Sequence, residues 1–339
     1  MHRSTIRGPG GRCPRRRRNV IRNRLGPMSH PRRFRFGVDL HQPFEGSSWL
    51  DTVREVEGLG YSTLFVPDHF DEGFGPITAL AMAAAVTTTI NLGTLVLDCD
   101  FRHPAVLARE LASIDVLSEG RLEVGIGAGW KRLDYERSGI AMDPPKVRVD
   151  RMIEHAQVLK GLFADGPFTF AGTHYSITDL DGTPKPHRPG GPPFLIGGGA
   201  PRVLRFAGAV ADIVGVNASI HSGEVDTAAA QDSLPERIDE KVRWLQEGAG
   251  ERFDDLEINA WLAVAEVTET SGELAEVLAT VFATDPASVL ASPLSLVGAP
   301  TEIGERLLER RERWGYSYTV VPGDKASDFA PIVAKLTGA

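Results

Sequence analysis

Residues 90–126, INLGTLVLDCDFRHPAVLARELASIDVLSEGRLEVGI, hold one complete strand–helix–strand unit. The apolar run Ile90–Leu97 predicts a buried strand. A helix follows from Pro104, with Leu107, Leu111, Ile114 and Leu117 on one stripe; proline suits the first turn, where its missing N–H costs nothing. Arg121–Ile126 predicts the next strand, which ends in the glycine-rich turn Gly125–Gly129. Strands joined through a helix run parallel, because the helix is the crossover that parallel pairing needs.

The same alternation continues outward in both directions. Strands are predicted at Phe36–Leu40, Thr63–Val66, Phe194–Ile196, Asp212–Val216, Ile258–Val267 and Tyr318–Val321. Helices are predicted through Trp49, Val53, Val56 and Leu59, then at Pro76–Thr88, Val147–Phe163, Arg202–Gly208, Pro235–Glu247 and Glu302–Trp314. Thr270 and Glu273 have the spacing of a capping box that opens one more helix. Phe168–Phe170 and His174–Ile177 read as a small hairpin. Eight strands alternating with helices over about 300 residues predict an α/β fold, a (β/α)8 TIM barrel with insertions. An open doubly wound sheet is the alternative.

Composition narrows the functional classes. The 339 residues are 42% hydrophobic and 24% charged, ample for a core and incompatible with a disordered body. No run approaches the length of a membrane span. Cys13 and Cys99 cannot staple a chain of this size, which points to a reducing, cytoplasmic setting. Residues 1–33 carry 11 arginines and no acid, leaving 26 Lys and Arg against 45 Asp and Glu in the other 306 residues. So acidic a body opposes nucleic-acid binding, which needs a basic face. Residues 1–33 read as a disordered basic extension, with Met28 a candidate true start; the barrel domain is expected over 34–339.

A barrel places its chemistry at the C-terminal ends of the strands. Those ends hold Asp39 and His41, Asp68 and His69, Asp98 to His103, Gly127 to Trp130, Gly197 to Ala200, and Asn217. Gly125-Ile126-Gly127-Ala128-Gly129 imitates a dinucleotide fingerprint, but Lys131–Glu136 starts no clear amphipathic helix and the spacing is wrong. It reads either as a tight turn or as a surface for a flat ring. Gly197-Gly198-Gly199-Ala200-Pro201 after a strand suits a phosphate at a helix N-terminus, with a plain turn as the alternative. His69 beside Asp68 reads as a proton donor or as a satisfied core histidine. Metal-ligand spacings, a Gly-x-Ser-x-Gly elbow and a strand-end lysine are lacking, so metal, acyl-transfer and Schiff-base chemistry find no support.

Several segments together resemble the luciferase-like flavin and deazaflavin oxidoreductases. They are Phe65-Val66-Pro67-Asp68-His69-Phe70, Leu92 to Ala108, Leu117 to Arg121, Gly125 to Trp130, Phe194 to Arg202, and Val297-Gly298-Ala299-Pro300-Thr301-Glu302-Ile303. The resemblance implies a (β/α)8 barrel binding FMN or coenzyme F420, with a non-proline cis peptide within Thr94–Asp98. It implies His69 and Asp68 as catalytic residues, Gly198, Gly199 and Ala200 at the cofactor phosphate, and Gly127, Gly129 and Trp130 under the ring. Thr94, Val96 and Asp98 from the third strand, with Asp39 from the first, complete the expected cofactor contacts. F420-dependent sugar-phosphate dehydrogenases of the family have a glutamate where this chain has Trp130, which argues for an apolar substrate wall. The expectation is hydride transfer between F420 and a small organic substrate, without metal, nucleic acid or membrane. The alternatives are an FMN monooxygenase served by a flavin reductase and a non-catalytic barrel sensing a phosphorylated ligand. Members of the family are often homodimers.

Overall fold

The unit read from residues 90–126 is present in the computed structural model, which describes residues 32–339 apart from 72, 221 and 225. The expectations for the N-terminal extension and for Met28 lie outside the described residues. Eight parallel strands form the barrel: β1 (Arg35–Asp39), β2 (Thr63–Val66), β3 (Asn91–Thr94, resuming as Leu97–Asp98), β4 (Leu122–Gly127), β5 (Phe194–Gly198), β6 (Ile213–Val216), β7 (Glu257–Trp261) and β8 (Tyr316–Pro322). Each pairs with its sequence neighbour, and β8 pairs with β1, so the sheet has no edge and the open doubly wound alternative falls. Pro76, Pro104, Pro145, Pro201, Pro235 and Pro300 each open a crossover helix, where the missing N–H leaves no bond unmade.

Two apolar regions result. The larger lies between the barrel and the helices, with Leu107, Leu111 and Ile114 fully or nearly buried. The smaller fills the barrel itself with Phe65, Leu195, Ile213, Tyr318 and Val320. The Phe65 ring occupies the space that Cβ atoms would take at Gly37 and Gly93 on the two neighbouring strands. At the N-terminal end, Arg35 lies over the Tyr318 ring at 3.7 Å and pairs with Glu123 and Glu257.

Several sequence expectations need correction. Ile90–Leu97 is not one strand: the Leu95–Val96 peptide is cis, within the span the family resemblance indicated, and the ladder with β4 breaks there. The Thr94 hydroxyl bridges the break, donating to the Gly125 carbonyl and accepting from the Gly125 N–H, both at 2.8 Å. Leu117 is 77% exposed, because the helix ends at that residue and its stripe turns outward. Ile258–Val267 splits after Trp261, and Val264–Val267 pairs with Ser295–Gly298 in a separate two-stranded sheet. Thr270 makes no capping bond; its hydroxyl meets that of Thr268 instead. The Pro76 helix stops at Ala84, and the second hairpin strand is Ser176–Leu180.

Thr94→Val keeps the shape and removes both bonds to buried Gly125. It should cost about 1–3 kcal/mol of unfolding free energy in urea titration, the range for stranding buried polar groups.

Candidate active site

A cavity of about 370 Å³ opens at the C-terminal ends of the strands. Its walls bring together Asp39, Asp68, His69, Val96, Asp98, Gly127, Gly129, Trp130, Gly198, Gly199 and Ala200. Thr94 is the exception: it is fully buried off the cavity, and its hydroxyl is spent on Gly125.

His69 and Asp68 are bonded to different partners. Asp68 is buried and holds Arg102 through both carboxylate oxygens, at 2.5 and 3.0 Å, while accepting the Asp98 N–H at 3.1 Å. It ties the end of β2 to the resumed part of β3, a positioning task. His69 turns instead to Asp134, with Nδ1 2.6 Å from Oδ2, and the Phe70 N–H donates to the other oxygen at 3.0 Å. With the carboxylate oxygen as the acceptor, Nδ1 carries the hydrogen and Nε2 is left for the cavity that the ring borders. Trp130 meets the His69 ring edge-on at 5.6 Å. Asp134 escaped the sequence reading because Arg132–Ser138 is a helix after all, a two-turn element too short to show a periodicity.

Asp98 borders the cavity with one oxygen accepting the Asp100 N–H at 2.9 Å and the other accepting from Tyr135 Oη at 2.8 Å. Burial, reinforced by Asp100 and Asp68 nearby, pushes its pKa from 3.8 up to about 7. At the end of β5, the helix Pro201–Val210 presents its N-terminus at Gly199 and Ala200, which line the cavity. A Cβ at Gly199 would lie 2.4 Å from the Asn217 carbonyl, so this turn also needs glycine for its own packing. Arg148 borders the same cavity, buried, and its Nε has no partner among the described residues. A helix N-terminus and an orphaned guanidinium N–H are the donors a phosphate group needs, and Val96 beside Gly127 offers a flat apolar floor. These residues fit a ring cofactor with a phosphate. Segments outside the barrel, unforeseen from sequence, complete the lining: their large side chains Leu234, Val264, Phe282, Val289 and Leu294 are apolar and alternate with the hydroxyls of Ser233, Thr284, Ser288, Ser292 and Ser295.

A closed ring of eight parallel strands with a cavity at their C-terminal ends defines the TIM-barrel class. Residues 32–243 match the model of the luciferase-like monooxygenase family, and the chain belongs to that family. An F420-dependent glucose-6-phosphate dehydrogenase of Kineococcus radiotolerans is 29% identical over 179 residues, 50% of this chain and 52% of that protein. A pyrimidine monooxygenase of Pseudomonas syringae pv. syringae is 34% identical over 143 residues, 42% of this chain and 38% of its own. The match therefore spans about half the length of the first relative and less of the second. Among solved structures, the F420-dependent tetrahydromethanopterin reductase of Methanopyrus kandleri superposes with a TM-score of 0.70 at 18% identity, covering 90% of this chain and 99% of that one. That likeness is one of fold.

The pKa of Asp98 gives a pH prediction. The folded state holds a proton that the unfolded chain has released between pH 3.8 and about 7, so this group's contribution to stability falls as pH rises through that window and is level above it. Asp98→Asn should therefore narrow the difference in melting temperature between about pH 5 and about pH 8.

Proposed function

We propose that the protein is an oxidoreductase that moves a hydride between coenzyme F420 and a small, predominantly apolar organic substrate. The observation that carries this reading is His69, fixed by Asp134 through Nδ1 at the edge of the strand-end cavity. F420, when bound, supplies a two-electron hydride carrier; the protein supplies position, dryness and the accompanying proton. Val96 and Gly127 would lie beneath the ring. The N-terminus at Gly199 and Ala200, with Arg148, would hold the phosphate.

His69 Nε2 is the site at which a proton moves. As a neutral ring it takes a proton from a substrate that is being oxidised, and Asp134 stabilises the resulting imidazolium. In the reverse direction it gives that proton back. Trp130, Phe282, Val289 and Leu294 exclude water and match an apolar body, which supports an organic substrate other than a sugar phosphate. The monooxygenase among the relatives favours a second reading, in which FMN occupies the same cavity and a separate reductase reduces it.

Fluorescence-quenching titrations with F420 and FMN separate the two readings: tighter F420 binding is expected, and tight binding of FMN alone would replace hydride transfer with oxygenation. Within the first reading, His69→Ala should lower kcat by about 10²-fold or more while the Kd for F420 stays near its original value. Asp134→Asn should lower kcat by a smaller factor, and unchanged turnover in both variants would remove the pair from the chemistry.

A further inference from the structure

Three oxygens stand in a row behind the cavity. Tyr135 Oη lies 2.8 Å from Asp98 Oδ2 and 3.0 Å from Asp100 Oδ2. A phenol has one hydrogen and donates one such bond. With both carboxylates ionised, one of the two contacts would set lone pair against lone pair in a buried place, so the row calls for a second proton.

The surroundings say where that proton sits. Asp100 is paired with Arg151, which also reaches Asp143. Among the described residues Asp98 has no ion-pair partner. The groups facing it are Asp68, whose charge Arg102 answers, together with Asp100, Tyr135 and the buried Cys99 thiol. Arg148 sits over the Tyr135 ring at 5.9 Å and spends its NH1 on the Ala128 and Gly129 carbonyls. His69 and Asp134 answer each other across the cavity wall. The row is also tightly packed: a Cβ on Gly129 would come within 1.8 Å of Tyr135 Oη and 2.4 Å of Asp98 Oδ2.

We propose that Asp98 is a second acid–base group of this site, a carboxylic acid that keeps a proton in the neutral protein, shares it through Tyr135 with Asp100, and passes it to a hydrogen-bond acceptor of the bound ligand. The acceptor is a carbonyl oxygen or a ring nitrogen. In the step, the Asp98 O–H bond breaks, an acceptor–H bond forms, and the negative charge left on Asp98 is held by the Tyr135 hydroxyl and the Asp100 N–H. Burial places the titration near neutrality, at about 7. The inference rests on the reading of the cavity as the reaction site, but its first test does not need a cofactor.

That test is infrared difference spectroscopy of the ligand-free full chain, titrated from about pH 5 to about pH 9. The carbonyl stretch of a protonated carboxyl should vanish with a midpoint near 7 and be missing in Asp98→Asn. Tyr135→Phe removes a bond that favours the ionised form, so the midpoint should rise. Asp100→Asn removes a like charge, so it should fall. No titrating band, a band that survives Asp98→Asn, or shifts in one direction for both neighbours would overturn the proposal. A second measurement compares F420 affinity at about pH 6 and about pH 8. The affinity ratio should collapse toward one in Asp98→Asn, and an unchanged ratio would overturn the transfer to ligand. F420 that binds at neither pH overturns the proposed function alone, and the ligand-free titration still decides the role of Asp98.

Discussion

The mouth of this barrel depends on the side chains that β4 lacks. Gly125 and Gly127 alternate in β4, so each removes a Cβ from the same side of the strand, and Gly129 follows in the turn beyond it. At Gly125 a Cβ would lie 2.0 Å from the Thr94 carbonyl, at Gly127 it would lie 2.7 Å from Val96 Cγ2, and at Gly129 it would strike Tyr135 and Asp98. The third strand can therefore break, turn and resume against β4, carrying Val96 and Asp98 to the cavity. Without that bare strip, the floor, the carboxyl row and the His69 wall could not share one small space. The glycine run owes its existence to this approach of protein to protein; contact with a ligand is a consequence of the floor it makes.

Local pattern made most of the scaffold legible. Strands announced themselves as short apolar runs and helices by their stripes, and proline marked the first turn of most crossovers. Chain-wide alternation then implied parallel pairing, although only the observed β8–β1 and β3–β4 ladders close the ring. The errors share a physical origin. Leu117 satisfies the stripe arithmetic but sits on the last residue of its helix, where no neighbour remains to cover it. Ile258–Val267 is apolar apart from Asn259 and Glu266, and nothing between Trp261 and Val264 marks the point where it leaves the barrel.

The site was legible as a set of positions and illegible as a set of partnerships. The expected strand-end residues border one cavity because barrel geometry constrains where they go, yet Asp68 and His69 are adjacent in sequence and apart in bonding. Their true partners, Arg102 and Asp134, lie 34 and 65 residues away. Such distant pairings follow from the packing of β3 and β4, which no periodicity encodes. Thr94 illustrates the opposite error, a strand-end residue that the broken ladder turned into a structural bridge.

The apolar wall has its own consequence. Val264–Val267 pairs in its ladder with Ser295–Gly298, and it is tied to the barrel by the Leu262 N–H on the Val320 carbonyl and by Glu266, which pairs with Lys325 just after β8 at 2.7 Å. Parting it breaks no barrel pairing. Its side chains are nonetheless part of the main core, since Leu262, Ala265 and Leu296 are buried in the cluster that lies between the barrel and the helices. The wall beside Phe282 and Leu294 thus has a hydrogen-bond ladder of its own but shares the apolar core of the closed ring beneath it.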